Sequence, residues 1–163
     1  MEQSLKKAAG HQYVEPTKAM DTLTPEQRRR AMASVKSENT APELLVRRIL
    51  HANGFRFRLH RKDLPGKPDI VLPKYRTVIF VHGCFWHQHT GCPHASRPSS
   101  NQDYWQPKLD RNIERDAKRQ AALRALGWRV IVVWECNTKN LPKIATELKQ
   151  LLTARHQAAC IQL

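Results

Sequence analysis

Apolar and polar positions along this chain recur in patterns that divide it into short elements. Thr24-Pro25-Glu26-Gln27 has the form of a helix start: an N-cap threonine, proline at the first helical position, and Gln27 placed for a capping box. The short basic helix that follows carries Arg28, Arg29, Arg30 and Met32. Thr40-Ala41-Pro42-Glu43 repeats the signal and opens a helix with Leu44, Leu45, Ile49 and Leu50 on its buried side, closed by Asn53-Gly54. Phe55-Arg56-Phe57-Arg58-Leu59 alternates strictly, as a half-buried strand does. Leu64-Pro65-Gly66-Lys67-Pro68 turns the chain into a second strand over 69–72, and Pro73-Lys74-Tyr75-Arg76 into a third over 77–81; two apolar strands joined so tightly predict an antiparallel hairpin. Residues 82–106 show no periodicity. Leu109, Ile113, Ala117 and Ala121 then recur at every fourth position, predicting an amphipathic helix that Gly127 ends. The continuous apolar run 128–134 reads as a strand buried on both faces, and a last helix covers about 142–152.

Helix, hairpin, loop, helix, buried strand and helix together predict an α/β fold with a mixed sheet and helices packed over it. Residues 1–22 are polar and aperiodic, a flexible N-terminal arm; 23–155 form a single domain and 156–163 a loose tail. No repeat or low-complexity run interrupts the 163 residues. No apolar run is long enough to span a bilayer and the N-terminus lacks a signal-peptide stretch, so the cytoplasm is expected, where cysteines stay reduced. The net charge of +14 changes the picture most. Charge of that size draws polyanions by counterion release, and the basic residues are spread along the chain, so a folded basic surface for nucleic acid is expected. An anionic membrane is the weaker partner, because no basic helix with a large apolar face is present.

Between His82 and His94 lie four of the eight histidines and two of the four cysteines. Cys84, His89 and Cys92 supply a C-x4-H-x2-C set for zinc, and Cys136, immediately after the buried strand, is the expected fourth ligand; four protein ligands make such a site structural. The bland alternative is three small core cysteines and solvated histidines. Cys160 in the tail has no assigned role.

Pro68-Asp69 at the head of a strand, followed by a second strand ending at His82, has the shape of a PD-(D/E)xK nuclease, in which a strand-end carboxylate holds magnesium against the scissile phosphate. The acidic residue and lysine of that pattern are replaced by Val81-His82-Gly83, and an aspartate placed like Asp69 after a turn is more often a cap. Phe85-Trp86 is an adjacent aromatic pair in a polar loop; on an extended segment the two would point apart, leaving at least one exposed and suited to insertion between bases. Arg28, Arg29, Arg30, Arg111, Arg115, Lys118 and Arg119 are candidate phosphate contacts as a group.

Leu64-Pro65-Gly66-Lys67-Pro68-Asp69, the run Val78-Ile79-Phe80-Val81-His82-Gly83-Cys84-Phe85-Trp86-His87, Asn112-Ile113-Glu114-Arg115-Asp116, and Gly127-Trp128-Arg129-Val130 with Val133-Trp134-Glu135-Cys136 strongly resemble the very short patch repair endonuclease family, in order from about Met32 to Cys136. The resemblance implies a restriction-endonuclease-like, three-layer α/β/α fold with a mixed central sheet and a zinc-stabilised loop. It implies a magnesium-dependent nick 5′ to the mismatched thymine of a T:G pair in double-stranded DNA. It further implies Asp69 and the main-chain carbonyl of Val81 as ligands of catalytic magnesium, two ions in all. His87 would be the general base or acid, His82 would assist, and Glu43 and Asp116 would give support. Cys84, His89, Cys92 and Cys136 would hold one structural zinc. Phe85 and Trp86 would enter from the major groove with Trp105 packing behind them, and Met32 from the minor groove. Some family members carry threonine in place of Val81, and here Gln88 and Thr90-Gly91 break the histidine run. Plain rivals stand beside these roles: Glu43 as an N3 capping residue, Asp116 as a surface ion-pair partner, His82 as a core hydrogen bonder. The partners implied are mismatch-repair proteins and a downstream polymerase and ligase, with a monomeric enzyme acting at the bacterial nucleoid. Two rival functions are a non-enzymatic zinc-stabilised DNA-binding module and a restriction-type enzyme that cuts intact duplex.

Overall fold

In the computed structural model, which describes residues 20–154 and 160–163, the sheet grows from the hairpin. Strand β2 (Ile70–Leu72) runs into a 3-10 turn at Pro73–Tyr75 and returns antiparallel as β3 (Thr77–His82). Strand β4 (Arg129–Trp134) lies parallel beside β3 and is buried throughout, as its unbroken apolar run predicts. Parallel neighbours require a long crossover, which α4 (Gln102–Ala125) supplies. With β1 (Arg58–Leu59) and β5 (Cys160–Gln162) at the edges, the order is β1-β2-β3-β4-β5 in one mixed sheet.

Strand alternation sorts the core into two clusters. Ile70, Leu72, Ile79, Ile131 and Val133 meet Val46 and Leu50 of α2 (Ala41–Ala52) and Ile144, Leu148 and Leu152 of α5 (Leu141–Thr153). Val71, Val78, Phe80, Val130, Val132 and Trp134 meet Leu123 of α4, together with Leu64, Cys84 and Trp128. At about 25 cal/mol per Å2 of apolar surface removed from water, these two layers dominate the stability. Helix α1 (Pro25–Ser34) forms the expected capping box, the Gln27 amide donating to Thr24 Oγ1 at 3.2 Å and the Thr24 amide to Gln27 Oε1 at 2.9 Å.

Several expectations are corrected. The end of the loose tail is a strand, because the outer edge of β4 offers unpaired backbone groups: β5 pairs parallel to it, the Leu163 amide donates to the Val132 carbonyl and the Trp134 amide to the Leu163 carbonyl. Only the end of the alternating segment 55–59 is strand; Phe55 dips into the first core, edge-on to Tyr75 at 5.2 Å. Helix α2 turns Glu43, Val46, Arg47 and Leu50 inward and leaves Leu44 39% exposed. Helix α4 buries Trp105, Leu109 and Leu123, while Ile113 is 42% exposed and Ala117 and Ala121 also face solvent. In both helices the inward face is partly polar, and an apolar count alone places it wrongly. The aperiodic stretch holds a short helix, α3 (Cys84–His87), and a 3-10 turn at Pro93–Ala95. Of the expected N-terminal arm, residues 1–19 lie outside the described residues. Among the described residues no helix is long and apolar enough to cross a membrane.

Candidate active site and metal cluster

The polar inward faces of α2 and α4 both reach the ends of β2 and β3, where a groove of about 900 Å3 opens. Its wall includes Glu43, His60, Asp69, His87, Asp116 and Arg119. Asp69 stands just ahead of β2, where the hairpin register brings it to β3: its Oδ2 accepts from the Val81 amide at 2.8 Å. Burial, then the nearby Glu43 carboxylate, push the Asp69 carboxyl up to about 7, against the opposing Val81 hydrogen bond and the His87 and Arg47 charges. A carboxylate so poorly compensated in a groove invites a cation.

His87 and Asp116 are joined. The His87 Nδ1–H donates to Asp116 Oδ2 at 2.5 Å, which leaves Nε2 as the ring nitrogen with a lone pair. Burial would raise the Asp116 carboxyl, but the His87 hydrogen bond and the charges of His87, His82 and Arg115 outweigh it and hold it below its ordinary value. Asp116 is thus an inward partner of His87 and not a surface ion-pair residue. His82 stacks flat on His87, ring centroids 3.8 Å apart, and lies edge-on to Trp134. Burial first, then the His87 charge, lower the His82 pKa to about 3, so its ring stays neutral. Glu43 is buried at 3% exposure and accepts from the Asn39 amide, Thr40 Oγ1 and Arg47 Nη2 at 2.8–2.9 Å. It is therefore more than a helix cap: it holds Arg47 inside and sets the field at Asp69.

Cys84, His89, Cys92 and Cys136 gather with their ligand atoms all within 4.8 Å of one another. Nδ1 of His89 is 3.3 Å from the Cys136 sulfur and 3.8 Å from that of Cys84, while the ring stacks on Trp134 at 4.2 Å. Burial pushes the Cys84 thiol up to about 12 and raises that of Cys136 as well; the Cys92 thiol adds to both, while the Cys84 hydrogen bond opposes the rise at Cys136. Thiols converging in this way are unfavourable as anions until a cation lies among them, and three sulfurs with one imidazole nitrogen suit a soft, tetrahedral metal ion. His89 and not His87 belongs to this cluster, since His87 is taken by Asp116. His82, His87 and Asp116 form a second group whose geometry could hold a metal ion.

Phe85 and Trp86 lie on the turn of α3 and not on an extended segment, so they do not point apart: their rings meet edge-on at 5.0 Å. Both are half-buried, and both touch Trp105, at 5.4 Å and 6.2 Å. Trp105 is buried behind them. Lys108 caps the cluster with its ammonium over the Trp86, Trp105 and Tyr104 rings. Met32, half-buried, lies apart on α1.

Of the candidate phosphate contacts, Arg28 is removed. It is 7% exposed, its Nε donates to Asp21 Oδ2 at 2.5 Å and its Nη2 to the Leu23 carbonyl. Arg29, Arg30, Arg111, Arg115 and Lys118 are exposed; Arg30 pairs with Glu26 and Lys118 with Glu114. Arg119 lies across Gly66, where a Cβ would stand 2.8 Å from its Cδ; with φ +76, that turn position accepts glycine alone without strain.

Sequence reasoning passed over Arg47, Asp21 and His60. The Asp21 carboxylate binds Arg28 and the Trp105 indole N–H at 2.9 Å, tying α1 to α4. His60 lies beside both Glu43 and Asp69. A histidine closing an alternating strand just before a Leu-Pro-Gly turn was the available signal.

The family described as DNA mismatch endonuclease Vsr matches residues 20–93. A type II nicking enzyme of Xanthomonas oryzae pv. oryzae is 54% identical over 132 residues, spanning 81% of this chain and 96% of that protein. A type II nicking enzyme of Neisseria meningitidis is 46% identical over 132 residues, 81% of this chain and 94% of the relative. The DNA mismatch endonuclease Vsr of Escherichia coli is 39% identical over 120 residues, 74% of this chain and 76% of that protein.

Proposed function

Because the chain belongs to the DNA mismatch endonuclease Vsr family and is a DNA-nicking hydrolase, we propose that it is a magnesium-dependent endonuclease that recognises a T:G mismatch in duplex DNA, nicks the strand 5′ to the mismatched thymine and so initiates very short patch repair. The observation that carries this reading is the single groove lined by a cation-seeking Asp69 and a carboxylate-oriented His87, with an aromatic cluster beside it.

Asp69 and the main-chain carbonyl of Val81 would hold the metal. Magnesium, two ions in this proposal, would when bound supply Lewis-acid polarisation of the scissile phosphate and lower the pKa of water there. His87 Nε2 would accept a proton from an attacking water, and Asp116 keeps the ring in the tautomer that allows it. Neutral His82 buttresses the His87 ring by stacking, and Glu43 acts through Arg47 and through its field at Asp69. Cys84, His89, Cys92 and Cys136 hold one structural zinc, which fixes α3 and hence His87. Phe85 and Trp86 wedge beside the mismatch with Trp105 behind them and Met32 entering from the opposite groove; Arg29, Arg30, Arg111, Arg115, Lys118 and Arg119 contact phosphates.

The reading extends to a restriction-endonuclease-like α/β/α layering, supported by helices on both faces of the mixed sheet. A monomer in the cytoplasm, working at the nucleoid ahead of repair partners, a polymerase and a ligase, completes it. The test is a strand-labelled duplex with one T:G pair, beside its fully paired twin, with magnesium or with chelator. A nick confined to the mismatched duplex with magnesium is expected. Binding without cleavage would leave only a DNA-binding module, and equal cutting of both duplexes would leave a restriction-type enzyme.

A further inference from the structure

His60 takes no part in the mechanism above, yet its position is unusual in three respects. It follows β1 directly with φ 47, a left-handed backbone that a non-glycine residue adopts only under constraint. Its side chain is 14% exposed, inside the groove wall. And it stands between the two carboxylates of that wall: Nε2 is 4.0 Å from Glu43 Oε2, and Nδ1 is 4.0 Å from Asp69 Oδ1.

Hydrogen-bond chemistry fixes which nitrogen carries the proton. Arg47 Nη2 lies 2.9 Å from His60 Nε2. A guanidinium only donates, so Nε2 must accept and must hold its lone pair there. The ring hydrogen is then on Nδ1, the nitrogen that faces Asp69. Arg47 itself is held by Glu43 through the same Nη2 and by Asn39 through Nη1. A chain of hydrogen bonds therefore runs from Glu43 through Arg47 to His60, whose Nδ1–H faces Asp69 Oδ1 at 4.0 Å. The Val81 amide already holds the Asp69 Oδ2, leaving Oδ1 as the oxygen that His60 faces.

We propose that His60 is a positioning residue for the metal site, its Nδ1–H steering Asp69 Oδ1 and so orienting the carboxylate toward the divalent ion. This rests on the reading of Asp69 as the magnesium ligand. Partners of this kind, one step removed from the metal, typically change metal affinity 10- to 100-fold. The 4.0 Å separation is longer than a hydrogen bond, and a small movement of the carboxylate as it turns to a cation would close it.

Two amides separate this role from simple packing. In His60→Asn the side-chain nitrogen falls near the position of Nδ1 and keeps a donor toward Asp69, and asparagine tolerates a left-handed backbone. In His60→Gln the amide reaches the position of Nε2, keeping a partner for Arg47 but offering no donor at Nδ1. The experiment is a Mn2+ titration of the zinc-loaded full chain, read from the free-ion electron paramagnetic resonance signal, for the wild type, Asp69→Asn, His60→Ala, His60→Asn and His60→Gln. Zinc content and melting temperature are measured on each sample. The expected result is Mn2+ binding that is lost in Asp69→Asn, weakened about 10-fold or more in His60→Ala and His60→Gln, and restored to within about threefold of wild type in His60→Asn. Wild-type affinity in His60→Ala, or an asparagine variant as weak as the glutamine variant, overturns the role of His60 alone. Should His60→Ala fail to fold, the asparagine and glutamine comparison decides. Binding that survives Asp69→Asn unchanged overturns the metal reading, and this inference with it.

Discussion

Asp69 and His82 are buried groups of opposite charge type, and the fold penalises the ionised form of each. Asp69 titrates near 7 instead of its ordinary 3.8, so below about pH 4 it costs nothing, and its cost grows until pH 7 and then stays constant. Asp69→Asn removes that cost. The metal-free variant should melt above wild type at pH 8, with the gap closing as the pH approaches 4; an equal gap at both pH values would contradict the burial argument. His82 runs the other way. Its pKa near 3 against an ordinary 6.5 means that stability is intact above about pH 6.5 and declines as the pH falls toward 3. At the same scale, the His87–Asp116 hydrogen bond predicts kinetics. His87→Ala should lower the single-turnover nicking rate by about 100- to 10,000-fold with zinc content unchanged. Asp116→Asn should fall into the same range, since an amide can accept from Nδ1 or donate to it and no longer fixes the tautomer. A near-normal rate in either would remove His87 from the proton path.

At the scale of elements, the Asp21 carboxylate anchors α1, beside the Asp21 backbone bonds to Ser100 and Asn101 and the Arg28 guanidinium over the Tyr104 ring. Asp21→Ala would strand buried Arg28 and the Trp105 indole N–H together, at a cost of about 1–3 kcal/mol for each orphaned group. Hydrogen exchange should then accelerate across Pro25–Ser34 while the sheet stays protected; unchanged protection of α1 would show that other contacts hold it. The legibility of the elements follows from the same physics. β3, β4 and the hairpin were readable because most of their side chains, His82 and Arg129 apart, serve burial, so hydrophobicity reports direction faithfully. α2 and α4 misled because Glu43, Arg47, Asn112 and Asp116 occupy inward positions on behalf of the groove, and the apolar count shifted to Leu44 and Ile113. β5 was unreadable locally: Cys160, Ile161 and Gln162 become a strand only because β4 offers an edge. The Cys/His cluster was legible from ligand spacing alone, whereas His60 and Asp21 depend on contacts that no local pattern encodes.

For the whole molecule, a net charge of +14 and a fixed metal cluster set the conditions under which the groove works. The exposed arginines and lysines on α1 and α4 should make the logarithm of DNA affinity fall linearly with the logarithm of salt concentration. Replacing any one of Arg111, Arg115 or Lys118 that contacts a phosphate should reduce that slope by about 1, equally for mismatched and paired duplex. Stripping a metal from the proposed cluster should loosen α3 from β4, since Cys84, His89 and Cys136 converge there, and nicking should be lost together with tertiary structure around Trp134. On the proposed reading the two metals would have separable duties, one holding the architecture and the other the phosphate. The measurement that tests this division most directly compares wild type and Asp69→Asn on a duplex with a single T:G mismatch, recording zinc per chain, duplex affinity and the single-turnover nicking rate at saturating magnesium. The account predicts equal zinc and affinity with a rate lower by at least about 1,000-fold. A variant that still nicks at the wild-type rate, or that loses its zinc along with its activity, would contradict it.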